Sequence, residues 1–220
     1  PPGKELRAVG APVMSASMLT MALLGFASHG SKPVVDGTFG ANCPPCKEFG
    51  STVLKQLYAA DGIKDTVTFD MHSAIRSAGS PATDHSWDCP DEEPGCPMTK
   101  WFLCAVDGWN TTTRTQDQRV GFLTCWDDAT GTSESKTREC AKSVSLDMDE
   151  ITACHSGIKA ESLQLAAAKY FEQRFPSHAH SGIFDVPHVF VDGKDLGYQA
   201  DYQTILKTLC ATGIEAAACK

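Results

Sequence analysis

Apolar positions along the chain fall into blocks with distinct periods. Residues 32–41 (KPVVDGTFGA) open with paired valines and predict a strand, weakened by Asp36 and Gly37. In residues 47–60, Phe49, Val53, Leu54 and Leu57 recur at helical spacing, and Gly62 is a fitting stop. Residues 65–72 (DTVTFDMH) alternate polar with apolar, the pattern of a second strand. Residues 159–175 carry Leu163, Leu165, Ala166, Ala167, Tyr170 and Phe171 and predict a long helix that ends before Pro176. Residues 186–191 (VPHVFV) read as a strand opening with proline. Asp192-Gly193 then signals a hairpin turn, residues 194–197 its return strand, and residues 201–211 a closing amphipathic helix.

Between these blocks the character changes. Residues 73–136 are rich in Thr, Ser, Gly, Pro and Asp, and only 101–106 and 120–126 are solid apolar runs. Trp and Cys in this stretch argue for a cysteine-stapled insertion with little core of its own, not a linker. Two short helical pieces joined around Ser145 and Leu146 follow over 137–153. Upstream, Arg7 to Lys32 encloses a stretch without Asp, Glu, Lys or Arg, strongest from Val13 to Ala27 (VMSASMLTMALLGFA). It has the length of a secretory h-region, with Gly25 and Ala27 at a plausible cleavage point, and is short for a span of about 20 residues. A retained signal, a membrane anchor and a helix docked on a partner all fit it. The expected division is an apolar segment over 1–31 and a folded domain over 32–219 with an insertion at about 73–158.

Charge narrows the partners. Lys and Arg number 19 against 27 Asp and Glu, for a net charge of −8, and no basic face is evident, so nucleic acid is excluded as a partner. The 10 cysteines change the picture more, because a high even count points to an oxidising compartment.

Cys43-Pro44-Pro45-Cys46, ahead of the first predicted helix, carries the chemistry. At a helix N-terminus, unpaired N–H groups and the macrodipole favour a thiolate, and Lys47 adds positive charge. Proline is at home in a first helical turn. Cys43, expected to be exposed, would attack a substrate disulfide, and the more buried Cys46 would resolve the mixed disulfide. No cofactor is needed. A zinc site would require a second close cysteine pair, and the other intervals are seven residues or more, so no metal is assigned. The order strand, Cys-x-x-Cys, helix, strand, helical insertion, helix, Pro-strand, hairpin, helix resembles an α/β thioredoxin-like fold with a cysteine-rich, partly helical insertion. That resemblance implies a cis bond between Val186 and Pro187, beside the cysteine pair, keeping the backbone open for an extended substrate.

Cys89, Cys96 and Cys104 form C-x6-C-x7-C. This spacing resembles the signature of the gamma-interferon-inducible lysosomal thiol reductase family, Cys-Gln-His-Gly-x2-Glu-Cys-x2-Asn-x4-Cys. The cysteines fit without a gap, but Pro90, Asp91 and Glu92 stand for Gln-His-Gly, Gly95 for Glu and Thr99 for Asn. FLTCWDD around Cys125, ECAKSVSLDMDEITAC over 139–154, VPHVFVDGKDL over 186–196 and the closing Cys210 and Cys219 are also similar to the family. The resemblance implies a lumenal or secreted, glycosylated reductase of protein disulfides that works in acid, with Cys43 and Cys46 as its redox pair. Its partners would be disulfide-bonded proteins and a small-thiol or protein reductant. Asn110-Thr111-Thr112 is a glycosylation sequon. The lost polar signature and the apolar segment leave an alternative: a redox-inert or moonlighting accessory subunit of a larger complex, membrane-tethered in an organelle lumen or docked through Val13 to Ala27.

Among the other cysteines, Cys140 with Cys154 could staple two helices and Cys210 with Cys219 could tie down the C-terminus. Cys89, Cys96, Cys104 and Cys125 are then left with three possible pairings. Asp36 is expected at a frayed strand end, the alternative being a buried acid near the thiols. His178, His180 and His188 are read as exposed or satisfied, and Met14, Met18 and Met21 as apolar packing.

Overall fold

Strand β1 (Val34–Phe39) is the spine of a four-stranded sheet of order β2-β1-β5-β6. The computed structural model describes residues 31–77, 86–178 and 183–220, and Lys32–Lys220 packs as one unit. The segment from Val13 to Ala27, with its three methionines, and His180 lie outside the described residues. Strand β2 (Thr68–Ser73) runs parallel to β1, with Val35 opposite Phe69. On the other side β5 (His188–Val191) runs antiparallel to β1, and β6 (Lys194–Tyr198) closes the hairpin at the sheet edge. A two-stranded ribbon, β3 (Arg76–Ser77) with β4 (Trp87–Asp88), sits apart from this sheet.

The strands form where their side chains alternate. Val35 of β1 and Phe69 and Met71 of β2 are buried, while Thr68, Asp70 and His72 lie on the more open face. Gly37 is required inside β1 because a Cβ there would meet Met71 Cε at 2.8 Å and the His188 carbonyl at 3.3 Å. Asp36 is not at a frayed end. It sits mid-strand between Asp70 and Phe190, where Tyr170 donates to it at 2.6 Å and Arg174 approaches to 3.3 Å. The long helix thus supplies the hydrogen bonds that a carboxylate on a central strand requires.

The first helical region begins earlier than the apolar spacing suggests, at Pro44, and is not uniform. Helix α1 (Pro44–Glu48) passes into a π-helical stretch (Phe49–Leu54) and then α2 (Lys55–Ala59). The short α3 (Ile63–Thr66) leads into β2. The inserted region is more helical than its composition suggests. It holds α4 (Pro97–Val106), α5 (Gln116–Asp128), α6 (Ser133–Ser143) and α7 (Met148–Ser156). The long α8 (Ile158–Arg174) follows, and α9 (Tyr202–Cys210) closes the fold.

The insertion shares one core with the sheet instead of lacking one. Phe39 of β1 meets Phe102 of α4 edge to face at 4.9 Å, and Phe102 contacts Phe122 and Trp126 of α5 at 5.6 and 6.0 Å. All four rings are at most 2% exposed. Each such aromatic contributes a few kcal/mol by burial, on the order of 1.5–3. Trp126 also donates its indole N–H to the Ala41 carbonyl at 2.9 Å, pinning the loop just before Cys43.

Candidate active site

Strand β1 ends at Phe39, and the loop that follows delivers Cys43 to the N-cap of α1 with extended backbone (φ −68°, ψ 120°). Pro44 and Pro45 occupy the first helical positions and bring no N–H. The Cys46 amide donates to Cys43 Sγ at 3.3 Å, and the Gly40 amide donates to Cys46 Sγ at 3.2 Å. Both sulfurs of the pair therefore have a backbone donor, the arrangement that stabilises negative charge on sulfur. The two cysteines are joined as a disulfide with Cα atoms 5.2 Å apart. Lys47 is turned onto Asn42 Oδ1 at 3.1 Å. The Val186 carbonyl lies 3.8 Å from Cys43 Sγ, and the Val186–Pro187 bond is cis.

Cys43 departs from expectation in one respect. It is 3% exposed against 1% for Cys46, so the pair is not divided into an open and a closed sulfur. Pro90 and Gly40 crowd this cysteine on one side and the Val186 carbonyl lies against its sulfur. A Cβ on Gly40 would lie 2.8 Å from Pro90 Cβ and 2.9 Å from Cys43 Cβ, so ring, glycine and cysteine are packed together. Access to the pair is through a groove of about 420 Å³ bordered by Cys43, Pro45, Arg76, Asp91, Phe184 and Tyr198. Asp88 holds Arg76 there at 2.5 Å.

The positions where the signature is lost build one wall of this groove. Glu92 accepts the Met98 and Thr99 amides at 2.8 and 3.0 Å and also the Thr99 hydroxyl, capping α4. The two departures at 92 and 99 are therefore partners of each other. Burial pushes the Glu92 carboxyl above its ordinary value, and these hydrogen bonds offset only part of that. Gly95 takes φ +92°, a conformation that favours glycine over the signature's glutamate. Asn42 donates to the Asp91 carbonyl at 2.5 Å, tying this wall to the Cys43 loop.

One turn along the helical run from Cys46, Gly50 packs against a group that the sequence pattern did not single out. A Cβ built on Gly50 would fall 1.7 Å from Asp127 Oδ2, so the carboxylate of α5 occupies the place of the missing side chain. Lys136, 2% exposed, lies over the Trp126 ring at 4.3 Å. The double acid in FLTCWDD was visible, but only the glycine one turn past Cys46 distinguishes Asp127 from its neighbour Asp128, whose partner is Lys55 at 2.6 Å.

The remaining cysteines pair as Cys89–Cys96, Cys104–Cys154, Cys125–Cys140 and Cys210–Cys219. The staple considered between Cys140 and Cys154 does not form. Helix α6 packs on α5 and α7 on α4, and the bridges follow this packing: Cys125–Cys140 joins α5 to α6 and Cys104–Cys154 joins α4 to α7. Asn110 is exposed after a 3₁₀ turn (Asp107–Trp109), and its Oδ1 accepts from the Thr112 amide and hydroxyl at 2.9 and 2.8 Å. His188 Nε2 pairs with Asp195 at 2.7 Å, and its Nδ1 lies 3.5 Å from Asp185. Among the described residues no group of three or more His, Cys, Asp or Glu could hold a metal, and no helix is long and apolar enough to cross a membrane.

A cysteine pair at the start of the helix after a central strand, facing the proline that opens an antiparallel hairpin, defines a thioredoxin-like thiol–disulfide oxidoreductase. The solved structures agree on the fold. The chain is similar to oxidised BdbD of Bacillus subtilis, with TM-score 0.54 and 15% identity over 83% of this chain and 88% of that one. It is similar to DsbA of Chlamydia trachomatis, with TM-score 0.56 and 11% identity over 83% and 87%. For the thiol-disulfide exchange protein alpha-DsbA2 of Wolbachia pipientis the values are 0.56 and 13% over 84% and 83%. No curated protein matches the chain in sequence. The family model for gamma interferon inducible lysosomal thiol reductase (GILT) matches residues 35–144, half of the chain, and the chain belongs to that family. Family and disulfides together place it in an oxidising setting, lumenal or secreted.

Proposed function

We propose that this protein reduces disulfides of protein substrates through Cys43 and Cys46 in an acidic or oxidising lumen, the lysosome or the secretory route. The observation that carries the reading is the Cys46 amide aimed at Cys43 Sγ, 3.3 Å away, at a helix start. In the dithiol form Cys43 attacks one sulfur of the substrate disulfide. An S–S bond forms between Cys43 and that sulfur, and the other substrate sulfur leaves as a thiolate and takes a proton. Cys46 then attacks Cys43, closing the 43–46 disulfide and releasing the second substrate thiol. A small-thiol or protein reductant restores the dithiol. Val186 and Pro187 are the substrate wall: the Val186 carbonyl borders the reacting sulfur and is placed to pair with an extended chain in the groove. Asn110, exposed on a turn, is the glycosylation site in this reading. The other eight cysteines are structural.

The test is turnover of a disulfide-bonded protein with a dithiol reductant by the full chain and by Cys43→Ser and Cys46→Ser. Cys43→Ser abolishes turnover, and Cys46→Ser accumulates a mixed disulfide at Cys43. Wild-type turnover that survives Cys43→Ser rules the assignment out.

A further inference from the structure

The groove at Cys43 has two walls from different parts of the chain, and one side chain reaches both. The first wall runs from Asp88, at the end of β4, through Cys89 to Pro90, which packs with Gly40 against Cys43. The second runs from Phe184 to Val186, whose carbonyl lies 3.8 Å from Cys43 Sγ. Arg76 borders the same groove and is 8% exposed. Its Nε and Nη2 donate to Asp88 Oδ2 at 2.7 and 2.5 Å. Its Nη1 donates to the His178 and Ile183 carbonyls at 3.3 and 3.4 Å, and its guanidinium carbon lies 4.2 Å from the centroid of the Phe184 ring.

The base of this side chain is fixed as well. Arg76 pairs with Asp88 in the β3–β4 ribbon, and the next amide, that of Ser77, donates to Glu172 of α8 at 3.3 Å. Phe184 rests on Phe171 of the same helix, with ring centroids 5.5 Å apart. Four of the five N–H donors of a guanidinium are thus committed within the protein, and one of its faces is covered by a ring. What remains is a brace between the walls and not a hook for substrate. Only a planar fork with a face that stacks can do this; an ammonium is a point charge with no such face.

We propose that Arg76 is a positioning residue that sets the width of the groove at Cys43, and that this width selects an extended polypeptide disulfide over a small one. The proposal rests on the reading of Cys43 and Cys46 as the redox pair and of the groove as the substrate path. An extended chain lies against Pro90 and Val186 together, so it feels their separation. A small disulfide needs the sulfur and one wall at most. Arg76 takes no part in bond exchange, and its effect reaches Cys43 only through Asp88–Pro90 and Phe184–Val186.

The test compares kcat/KM of the full chain for a disulfide-linked peptide dimer and for hydroxyethyl disulfide, with dithiothreitol as reductant, in wild type, Arg76→Lys and Asp88→Asn. Arg76→Lys keeps the charge and removes the fork. The expected result is a fall of about 10-fold or more in the ratio of peptide to small-disulfide kcat/KM, carried by the peptide KM while the peptide kcat changes less than about 2-fold. Asp88→Asn loosens the first wall alone and moves the ratio the same way by less. The double variant is no worse than Arg76→Lys, because both changes act through one contact. A merely structural role would lower both substrates in proportion and leave the ratio where it was. That result, or unchanged constants for both substrates, overturns the proposal, as does a fall carried by the peptide kcat. Where Arg76→Lys does not fold, Asp88→Asn, a same-shape change at a partly exposed side chain, decides by the same ratio. Turnover that survives Cys43→Ser overturns the redox assignment and the proposal with it. Failure of the proposal alone is told apart from this, because Cys43→Ser is then inactive and the ratio is flat.

Discussion

The bridge between Cys104 and Cys154 should be worth more than the bridge between Cys125 and Cys140, and by a calculable margin. The first closes a loop of 50 residues and the second a loop of 15. Loop-closure entropy in the unfolded chain then favours the longer bridge, at about 4 kcal/mol against about 3 kcal/mol. Both bridges join inserted helices that pack on each other, and the double alanine variants remove the same atoms from either pair, so much of the packing cost cancels in the comparison. Cys104→Ala/Cys154→Ala should therefore be about 1 kcal/mol less stable than Cys125→Ala/Cys140→Ala. With urea slopes of about 2 kcal/mol per molar, the two midpoints should fall about 2 M and about 1.5 M below the wild type. Urea unfolding at equilibrium, followed by tryptophan fluorescence, measures this directly, since Trp109 and Trp126 are buried in the shared core. The reverse order of midpoints would refute the argument. So would peptide mapping that finds Cys140 bonded to Cys154, which would remove the loop lengths on which it stands.

Other outcomes follow from the carboxyls and from Lys136. Burial raises Glu92 and Asp127, and a carboxyl raised in the fold adds stability as pH falls through its folded value toward the unfolded value near 4. Asp107 is pushed up by burial but held below its ordinary value by Lys159 at 2.7 Å and Thr113 at 2.6 Å, so its stabilisation persists until pH falls through that depressed value. The domain should accordingly be at least as stable at pH 5 as at pH 7 in thermal melts, and Glu92→Gln/Asp127→Asn should flatten the difference; a marked loss of stability at pH 5 would contradict this. Tyr170→Phe should cost about 1.5–3 kcal/mol at pH 7, the scale of a hydrogen bond to a charged group, read by urea unfolding. Lys136, pulled down by burial and then by Lys47 to about 8 against the opposing charge of Asp127, should show a side-chain NMR titration midpoint near that value; a midpoint at the free lysine value would contradict the burial.

The periodic parts of the fold were legible in the sequence because each strand and helix carries its own pattern. Alternation over Thr68–Ser73, the helical stripe of α8 and the Asp192-Gly193 turn needed no tertiary information. The insertion was less legible because its helices are amphipathic toward a core that they share with β1. Phe102 and Trp126 look isolated among polar residues until Phe39 is placed beside them. Asp36 was misjudged for the same kind of reason, since its partners Tyr170 and Arg174 lie more than 130 residues away. Cys210 with Cys219 was legible as a local pair, but Cys104 with Cys154 was hidden, because that bridge follows the packing of α4 on α7 across 50 residues. The Cys-Pro-Pro-Cys site was the opposite case. A helix start and two cysteines three apart are all local, so residue order alone pointed to the geometry that the structure shows there.

The burial of Cys43 ties these threads to function. In the disulfide form Pro90 and Val186 flank the Cys43 sulfur, which meets substrate in the reading proposed above, and the wall carrying Pro90 belongs to the loop closed by Cys89–Cys96. That loop is anchored at both ends: Glu92 caps α4, which is bridged by Cys104 to α7, and the Asp91 carbonyl takes the amide of Asn42 next to Cys43. In that reading substrate reaches the sulfur along the groove beside Tyr198 and Phe184. Pro90, Asp91 and Glu92, which replace the family's polar signature, line the groove at Cys43 and so bear on substrate fit in that reading, while the donors to both sulfurs come from the Gly40 and Cys46 backbone and do not depend on side-chain identity at positions 90–92. Exchange chemistry can persist where the signature has changed, because it is built from main-chain amides.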